Sequence, residues 1–583
     1  MGGQSSSLCS SHADTHAVSE PVHDLLFPMF VVKVQDFLKM EGPPEPHHVL
    51  KERGLLKEWH PGLFVIFISH QWLGRAHPDP RGQQTALLRR ALHGLIAGSL
   101  LVEPDTTSMP VGKTLSRKTR ADVKDGYLFL DWFAIPQITA RQEGVNEEST
   151  RTDAALAVQS IPAYVEAAHL FIALVPELVH SSGAPCNYAS WLSRGWCRAE
   201  WWCHLLSNKP DTSVIVMFSS KEAEFMFPLN WQENTIADGC FTVASDRDVV
   251  VRLGEVALES KIRHLSTHGP LNLYRYLLAL HPKVLGKPSK NWEMDGFLEH
   301  FRFGSLTEAL QEQSGMNPML CAIFAGDVRM LRLLLEHRGD VNCRLKGLGH
   351  LGYFDDQTLL IAATKSNQEP EMLSTLIHFR AEVNATTWLG LSCAAVVRTP
   401  GQVHALIEGR ADLQRVGKPF GLAPIAGAAV WSSPETIATM LAARCDANFT
   451  PHGIGYGPLH SVCLQCRGRS SAKAVAEVLI AHRADINAAA RPLSFFAPVC
   501  IFAQARARIW DIGSLSIVSR TLACLPGLTP LGAAALSGDE SLVRVLWENG
   551  AEILANDRGD LPEDLARACG HDHLLSLLGT FHV

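Results

Sequence analysis

The sequence predicts a multidomain chain in which an N-terminal α/β domain, built on a parallel sheet, precedes a C-terminal all-α repeat solenoid. Three observations predict it. Four short apolar runs before residue 220 are continuous, not alternating, as expected for strands covered on both faces. Stretches long enough for crossover helices separate these runs. In the second half a six-residue block occurs six times, its acidic residue spaced by 42, 30, 34, 39 and 67 positions, a loose period near 33 with one double step.

Residues 1–58 read as a leader. The opening Met1-Gly2-Gly3-Gln4-Ser5-Ser6 fits the N-myristoylation pattern, with Gly2 as acceptor. One acyl chain binds membranes only marginally, and a palmitoylated Cys9 would supply a second anchor. The competing reading is a Ser-rich disordered leader without lipid. An apolar patch, Leu25-Leu-Phe-Pro-Met-Phe-Val-Val32, and a Pro-rich link, Gly42-Pro-Pro-Glu-Pro-His47, are placed to pack on the following domain.

Residues 59–265 form the α/β domain. Its strands are Phe64-Val-Ile-Phe-Ile-Ser69, Tyr127-Leu-Phe-Leu-Asp131, Leu170-Phe-Ile-Ala-Leu-Val175 and Ser213-Val-Ile-Val-Met-Phe218, with helices over 83–96, 154–167 and 191–206. Ligands of such sheets collect at the carboxyl ends of the strands. Ser69-His70-Gln71-Trp72, Asp131-Trp132-Phe133 and Arg194-Gly-Trp196-Cys-Arg-Ala-Glu200 cluster at those ends and can line one crevice. Four of the thirteen tryptophans fall within 191–202, denser than packing alone requires. His70, His77 and Asp79 lack tetrahedral spacing on a fixed element, so His70 reads as a hydrogen-bonded structural histidine and no metal site is expected.

At these residues the chain resembles a divergent Toll/interleukin-1-receptor-like (TIR-like) domain. Val65-Ile-Phe-Ile-Ser69 matches the family's opening strand and Trp196-Cys197-x-x-Glu200 its Trp-Cys-x-x-Glu helix, within residues 60–220. The spacing between the first two strands is long for the family, and Phe-Ala-Ile-Pro-Gln replaces the usual Gly-containing turn. The resemblance implies flavodoxin-like layering and self-association or signalling. In enzymatic members the helix glutamate assists cleavage of the nicotinamide-ribose bond of NAD. It thereby implies Glu200 as catalytic residue, with Ser69, His70, Trp72, Asp131, Trp132 and Trp196 around NAD as substrate; a carboxylate would stabilise the oxocarbenium-like ribose. The bland alternative pairs Glu200 with His204 one turn on as an ordinary surface contact.

A helical connector, 266–315, leads to the repeats at 316–580. The best repeat reads Leu528-Thr-Pro-Leu-Gly-Ala-Ala-Ala-Leu-Ser-Gly538, in which Thr529 caps the first helix, Pro530 sits where a missing N–H costs nothing, and Gly538 takes the left-handed conformation that ends it. This pattern resembles the ankyrin family, implying six to seven divergent repeats that cannot bury their apolar faces alone and stack into a protein-binding array. Residues 489–527 are either a degenerate repeat or an insertion. Arg338, Arg380, Arg410, Arg444 and Arg483 stand where the ankyrin pattern usually has glycine. Stacking would align them into a ridge able to meet an acidic partner or phosphate, or they simply suit helix C-termini and cover apolar surface.

Composition bounds the function. Across 583 residues the net charge of −7 gives no global attraction to nucleic acid. Fourteen scattered cysteines suit a reducing compartment, and no apolar run is long enough to span a bilayer. Walker and Gly-x-Ser-x-Gly motifs are lacking. The expectation is a cytoplasmic interaction or signalling scaffold, requiring no cofactor, that binds proteins through its repeats, self-associates through the TIR-like domain, and attaches peripherally to membranes if acylated. The rival expectation is a NAD glycohydrolase regulated by the array.

Overall fold

The computed structural model describes residues 24–104, 113–138, 147–288, 290–312, 315–353, 355–418, 421–450 and 453–580. Gly2 and Cys9 lie outside the described residues. The N-terminal domain is built on strands β1 (Phe30–Lys33), β2 (Leu56–Glu58), β3 (Val65–His70), β4 (Val102–Pro104), β5 (Tyr127–Phe129) and β6 (Leu170–Leu174), a small hairpin β7 (Leu178–Val179) and β8 (Pro185–Cys186), then β9 (Val214–Ser219) and β10 (Glu222–Phe225). Eight of them form one sheet in the order β2-β1-β5-β3-β6-β9-β10-β4.

The four apolar runs are its centre. β5, β3, β6 and β9 pair in parallel, and numbered among themselves in chain order they stand 2-1-3-4, the doubly wound arrangement. The sheet as a whole is mixed, which corrects the purely parallel expectation. β1 runs antiparallel to β2 and β5, and β10 returns antiparallel beside β9. A turn as short as residues 220–221 permits only a hairpin, since a parallel return needs a crossover. The domain boundary also moves, because residues 30–58, read as leader, contribute two strands.

The array consists of seven helix pairs among the described residues, opening with Pro318–Ala325 and Val328–Glu336 and closing with Pro562–Cys569 and His573–Thr580. Its local chemistry follows the sequence. The Thr529 hydroxyl accepts from Gly532 N–H, Pro530 occupies the first helical position, and Gly538 sits at φ 80°. In the third pair the first helix shrinks to a short 3₁₀ turn, Cys393–Val396. Residues 489–527 prove to be an insertion: helices Phe496–Ile509 and Ile517–Cys524 pack on each other, while the pairs on either side, Pro458–Gln465 with Ala472–Ala481 and Pro530–Ser537 with Glu540–Glu548, stack directly.

The two halves share a core. An edge-to-face aromatic chain joins Trp202, Trp231, Tyr276 and Phe324, with Tyr353 against the last two, so it runs from the α/β domain through helix Leu271–Val284 into the first repeats. Arg275, 1% exposed, fastens that helix by donating to the carbonyls of Phe301, Arg302 and Met316 and pairing with Glu312. None of the described helices is long and apolar enough to cross a membrane.

Candidate functional site

Three polar constellations stand out. The first lies at the carboxyl ends of β3 and β5. Buried Ser69 donates its hydroxyl proton to Glu200 Oε2 at 2.5 Å and accepts from Trp191 Nε1 at 3.0 Å. Next along β3, His70 Nε2 lies 2.8 Å from Asp131 Oδ1, and its Nδ1 lies 3.1 Å from Gln84 Oε1. The Gln84 amide is oriented by its own donation to Gln71 O, so both ring nitrogens face acceptors, a setting that favours the protonated imidazole. Burial works against that charge, but Asp131 outweighs it and raises the His70 pKa, while His70 in turn holds Asp131 below the usual carboxylate range. Trp72 Nε1 donates to the other Asp131 oxygen at 2.8 Å.

Glu200 is different. Burial pushes its pKa up to about 8 despite the Ser69 hydrogen bond, so at neutral pH the carboxyl is largely protonated. A space of about 10 Å³ borders His70, bounded also by Asp79 and Gln84, at the lower limit for one water.

Several predicted residues do not join a crevice. Trp196 turns away and donates to Asp246 at 2.9 Å. Trp132 is 2% exposed, stands edge-on to Trp72 and donates to Pro44 O. Trp191, Trp201 and Trp202 are core, so three of the four clustered tryptophans serve packing, against the expectation. The Glu200–His204 surface pair is also overturned: His204 is buried, with Nε2 on Ser213 O and Nδ1 on Lys209 Nζ. Asp79 caps helix Gln83–Ala97 through Gln83 N–H and Thr85 N–H, which occupies both its oxygens.

The second constellation is the ridge. Arg338, Arg380, Arg410, Arg444 and Arg483 all take positive φ, between 62° and 70°, and all are exposed. Among the described residues none of the five guanidiniums meets a carboxylate. Their backbones form a ladder. Asn448 Nδ2 donates to Arg483 O at 2.8 Å while its Oδ1 accepts from Asp485 N–H at 2.6 Å; Asn342 and Asn384 treat the next repeat the same way, and Gln414 donates to Arg444 O. In four of the six blocks the aspartate, Asp340, Asp412, Asp446 or Asp485, accepts from the backbone N–H two positions on. These Asp and Asn side chains are thus structural, while the five arginine side chains meet no carboxylate among the described residues.

The third constellation was not foreseen. Glu222, 2% exposed at the start of β10, meets Arg467 at 2.9 Å, His571 at 3.0 Å and Arg520 at 3.6 Å, all from the array and its insertion. Burial raises its pKa, but these partners, Arg467 foremost, hold it at about 2. Glu233 is gripped likewise by Arg398 at 2.7 Å and Arg469 at 2.9 Å, and both guanidiniums lie over the Trp431 ring. Ser219 donates to Cys569 O. Glu222, Cys569 and His571 present donor atoms within 4.8 Å of one another, a set that suits a metal, yet Arg467 and Arg520 already neutralise the carboxylate. Arg467, Arg469 and His571 follow the first helices of their repeats, whereas the ridge follows the second helices. Because each pair is a hairpin, the α/β domain grips one end of the array and the ridge lies at the other. Sequence carried no signal for these pairs, which join positions up to 349 residues apart.

A protein-family model described as Ankyrin repeat matches residues 314–346. Among solved structures, the crystal structure of the ankyrin repeat domain of Bcl-3, described as a unique member of the IkappaB protein family, is matched at 19% identity over 46% of this chain and 100% of that one, with a TM-score of 0.30. No curated protein matches. The family match and the capped helix pair at its position agree: residues 314–346 are similar to an ankyrin repeat, and six further helix pairs follow among the described residues.

Proposed function

We propose that the chain is a protein-interaction scaffold whose array engages its own α/β domain at one end of the helix pairs and recruits an acidic partner protein at the other, through the arginine ridge. The observation that carries this reading is the contrast in pairing. The arginines facing the α/β domain are paired with Glu222 and Glu233, while five exposed arginines in register face no carboxylate among the described residues. The backbones of Arg380, Arg410, Arg444 and Arg483 are held by Asn or Gln side chains of the preceding repeat, so the ridge backbone is ordered before binding and loses less entropy on association. The TIR-like reading of the α/β domain assigns it self-association, and an acylated Gly2 with Cys9 would bring the assembly to a membrane.

Replacing the five ridge arginines by glycine tests the reading, because glycine keeps the positive-φ backbone and removes only the charge. Affinity capture should recover an acidic protein with the unaltered chain and lose it with the glycine variant. Equal recovery would refute the ridge.

A second reading, NAD cleavage by Glu200, draws support from the Ser69–Glu200 contact at the strand ends. A protonated carboxyl gives little stabilisation to an oxocarbenium ion, and Trp132 and Trp196 do not face Glu200, so we rank it below the scaffold. Nicotinamide release from NAD that disappears in Glu200→Gln would reverse that order.

A further inference from the structure

A cavity of about 470 Å³ separates the α/β domain from the array and the insertion. That volume falls in the range of small-molecule sites, which occur preferentially at domain interfaces. Its walls are mainly apolar: Phe227 comes from the α/β domain, Trp431 and Ile454 from the repeats, and Val499, Ile517 and Val518 from the insertion. The insertion therefore supplies one wall of the space.

The charges set into these walls do not balance. Arg398, Arg467, Arg469 and Arg520 line the cavity against Glu222 and Glu224. Even when Glu233, which pairs with Arg398 and Arg469, is included, one positive charge of these four remains in excess. Arg398 Nε and Arg467 Nη1 are buried with no hydrogen-bond acceptor among the described residues, and Arg520 Nη1 has only its 3.6 Å ion-pair contact with Glu222. Buried donors are normally paired, and uncompensated charge in an apolar setting is costly. A ligand that supplied one anionic group and filled the remaining volume with hydrocarbon would meet both demands.

We infer that this interdomain cavity binds an amphipathic anion, an alkyl or acyl chain ended by one carboxylate or phosphate. Touching the α/β domain, the repeats and the insertion together, such a ligand would stabilise their association by mass action.

The test uses the intact chain, titrated calorimetrically with sodium laurate, dodecyl phosphate, neutral 1-dodecanol and inorganic phosphate, each below its micellar concentration, with Tm followed in parallel. One or both amphipathic anions should bind saturably at one per chain and raise Tm; the preferred headgroup identifies the ligand as carboxylate or phosphate. Dodecanol and inorganic phosphate should bind at least tenfold more weakly. Val518→Trp fills the cavity from the insertion and Ile454→Phe from the repeats; each should weaken binding at least tenfold, and circular dichroism identifies a variant that fails to fold so that the other decides. Equal binding of dodecanol, equal binding of inorganic phosphate, no saturable binding by either amphipathic anion, or undiminished binding by the folded filled variants would each overturn the inference.

Discussion

Two sets of arginines on the same array have opposite surroundings. Arg398, Arg467, Arg469 and Arg520 are drawn out of water against Glu222 and Glu233, in a junction shared with aromatic rings. Arg338, Arg380, Arg410, Arg444 and Arg483 stand in solvent with only their backbones engaged. Desolvated pairs hold a fixed geometry and are costly to break from one side. Exposed charges add little stability and stay available to a partner. One end of the array is thereby committed within the chain, and the other is free.

The contrast predicts a graded series of effects. Glu222→Ala strands two buried guanidiniums, and chemical denaturation should show a loss of about 3–5 kcal/mol; a loss below about 1 kcal/mol would mean the junction is solvated like the ridge. The pH dependence tests the same group. The folded Glu222 pKa of about 2 lies under its ordinary value of 4.5, so its contribution is complete above the ordinary value and drains as pH falls toward 2. It amounts to about 3 kcal/mol at 1.36 kcal/mol per pH unit. Denaturation midpoints from pH 6 to pH 2 should fall more steeply for the unaltered chain than for Glu222→Gln.

Glu200 has the opposite sign. Its folded pKa of about 8 lies above 4.5, so stability present at low pH is lost as pH rises through 8. Glu200→Gln should therefore raise Tm at pH 9 relative to the unaltered chain while leaving pH 5 unchanged. A Tm deficit at both pH values would mean that the carboxyl is ionised in the folded protein.

On the exposed side the effects shrink. Asn448→Ala removes two inter-repeat hydrogen bonds in a solvent-facing loop, and the expected cost is about 1 kcal/mol. Arg410→Gly relieves a side chain at φ 62°, a gain partly offset by the greater freedom of glycine in the unfolded chain. The net change should be stabilising by about 0.5 kcal/mol, and a clear loss would show that the guanidinium is engaged.

The ease of reading the sequence follows the same division. The repeats were legible because each one's determinants are local: Thr529, Pro530 and Gly538 act within ten residues, and the glycine-like role of Arg338 and its counterparts showed in the register of the block. The four parallel strands were legible as apolar runs. β1, β2, β4 and β10 were not, since strands this short become strands only through their neighbours in the sheet. At the strand ends, Ser69 with Glu200 and His70 with Asp131 came together as their positions implied, whereas Trp132 and the tryptophans after 190 were drawn into the core by apolar burial, which the same residues signal equally well. Glu222 carried no mark, because its partners lie 245 to 349 residues away.

A double-mutant cycle on Glu222 and Arg467, using Glu222→Ala, Arg467→Ala and the pair, measures most directly whether the α/β domain and the array form one body. The 2.9 Å buried contact predicts a coupling energy of about 2 kcal/mol or more. Effects that add to within about 0.5 kcal/mol would contradict it.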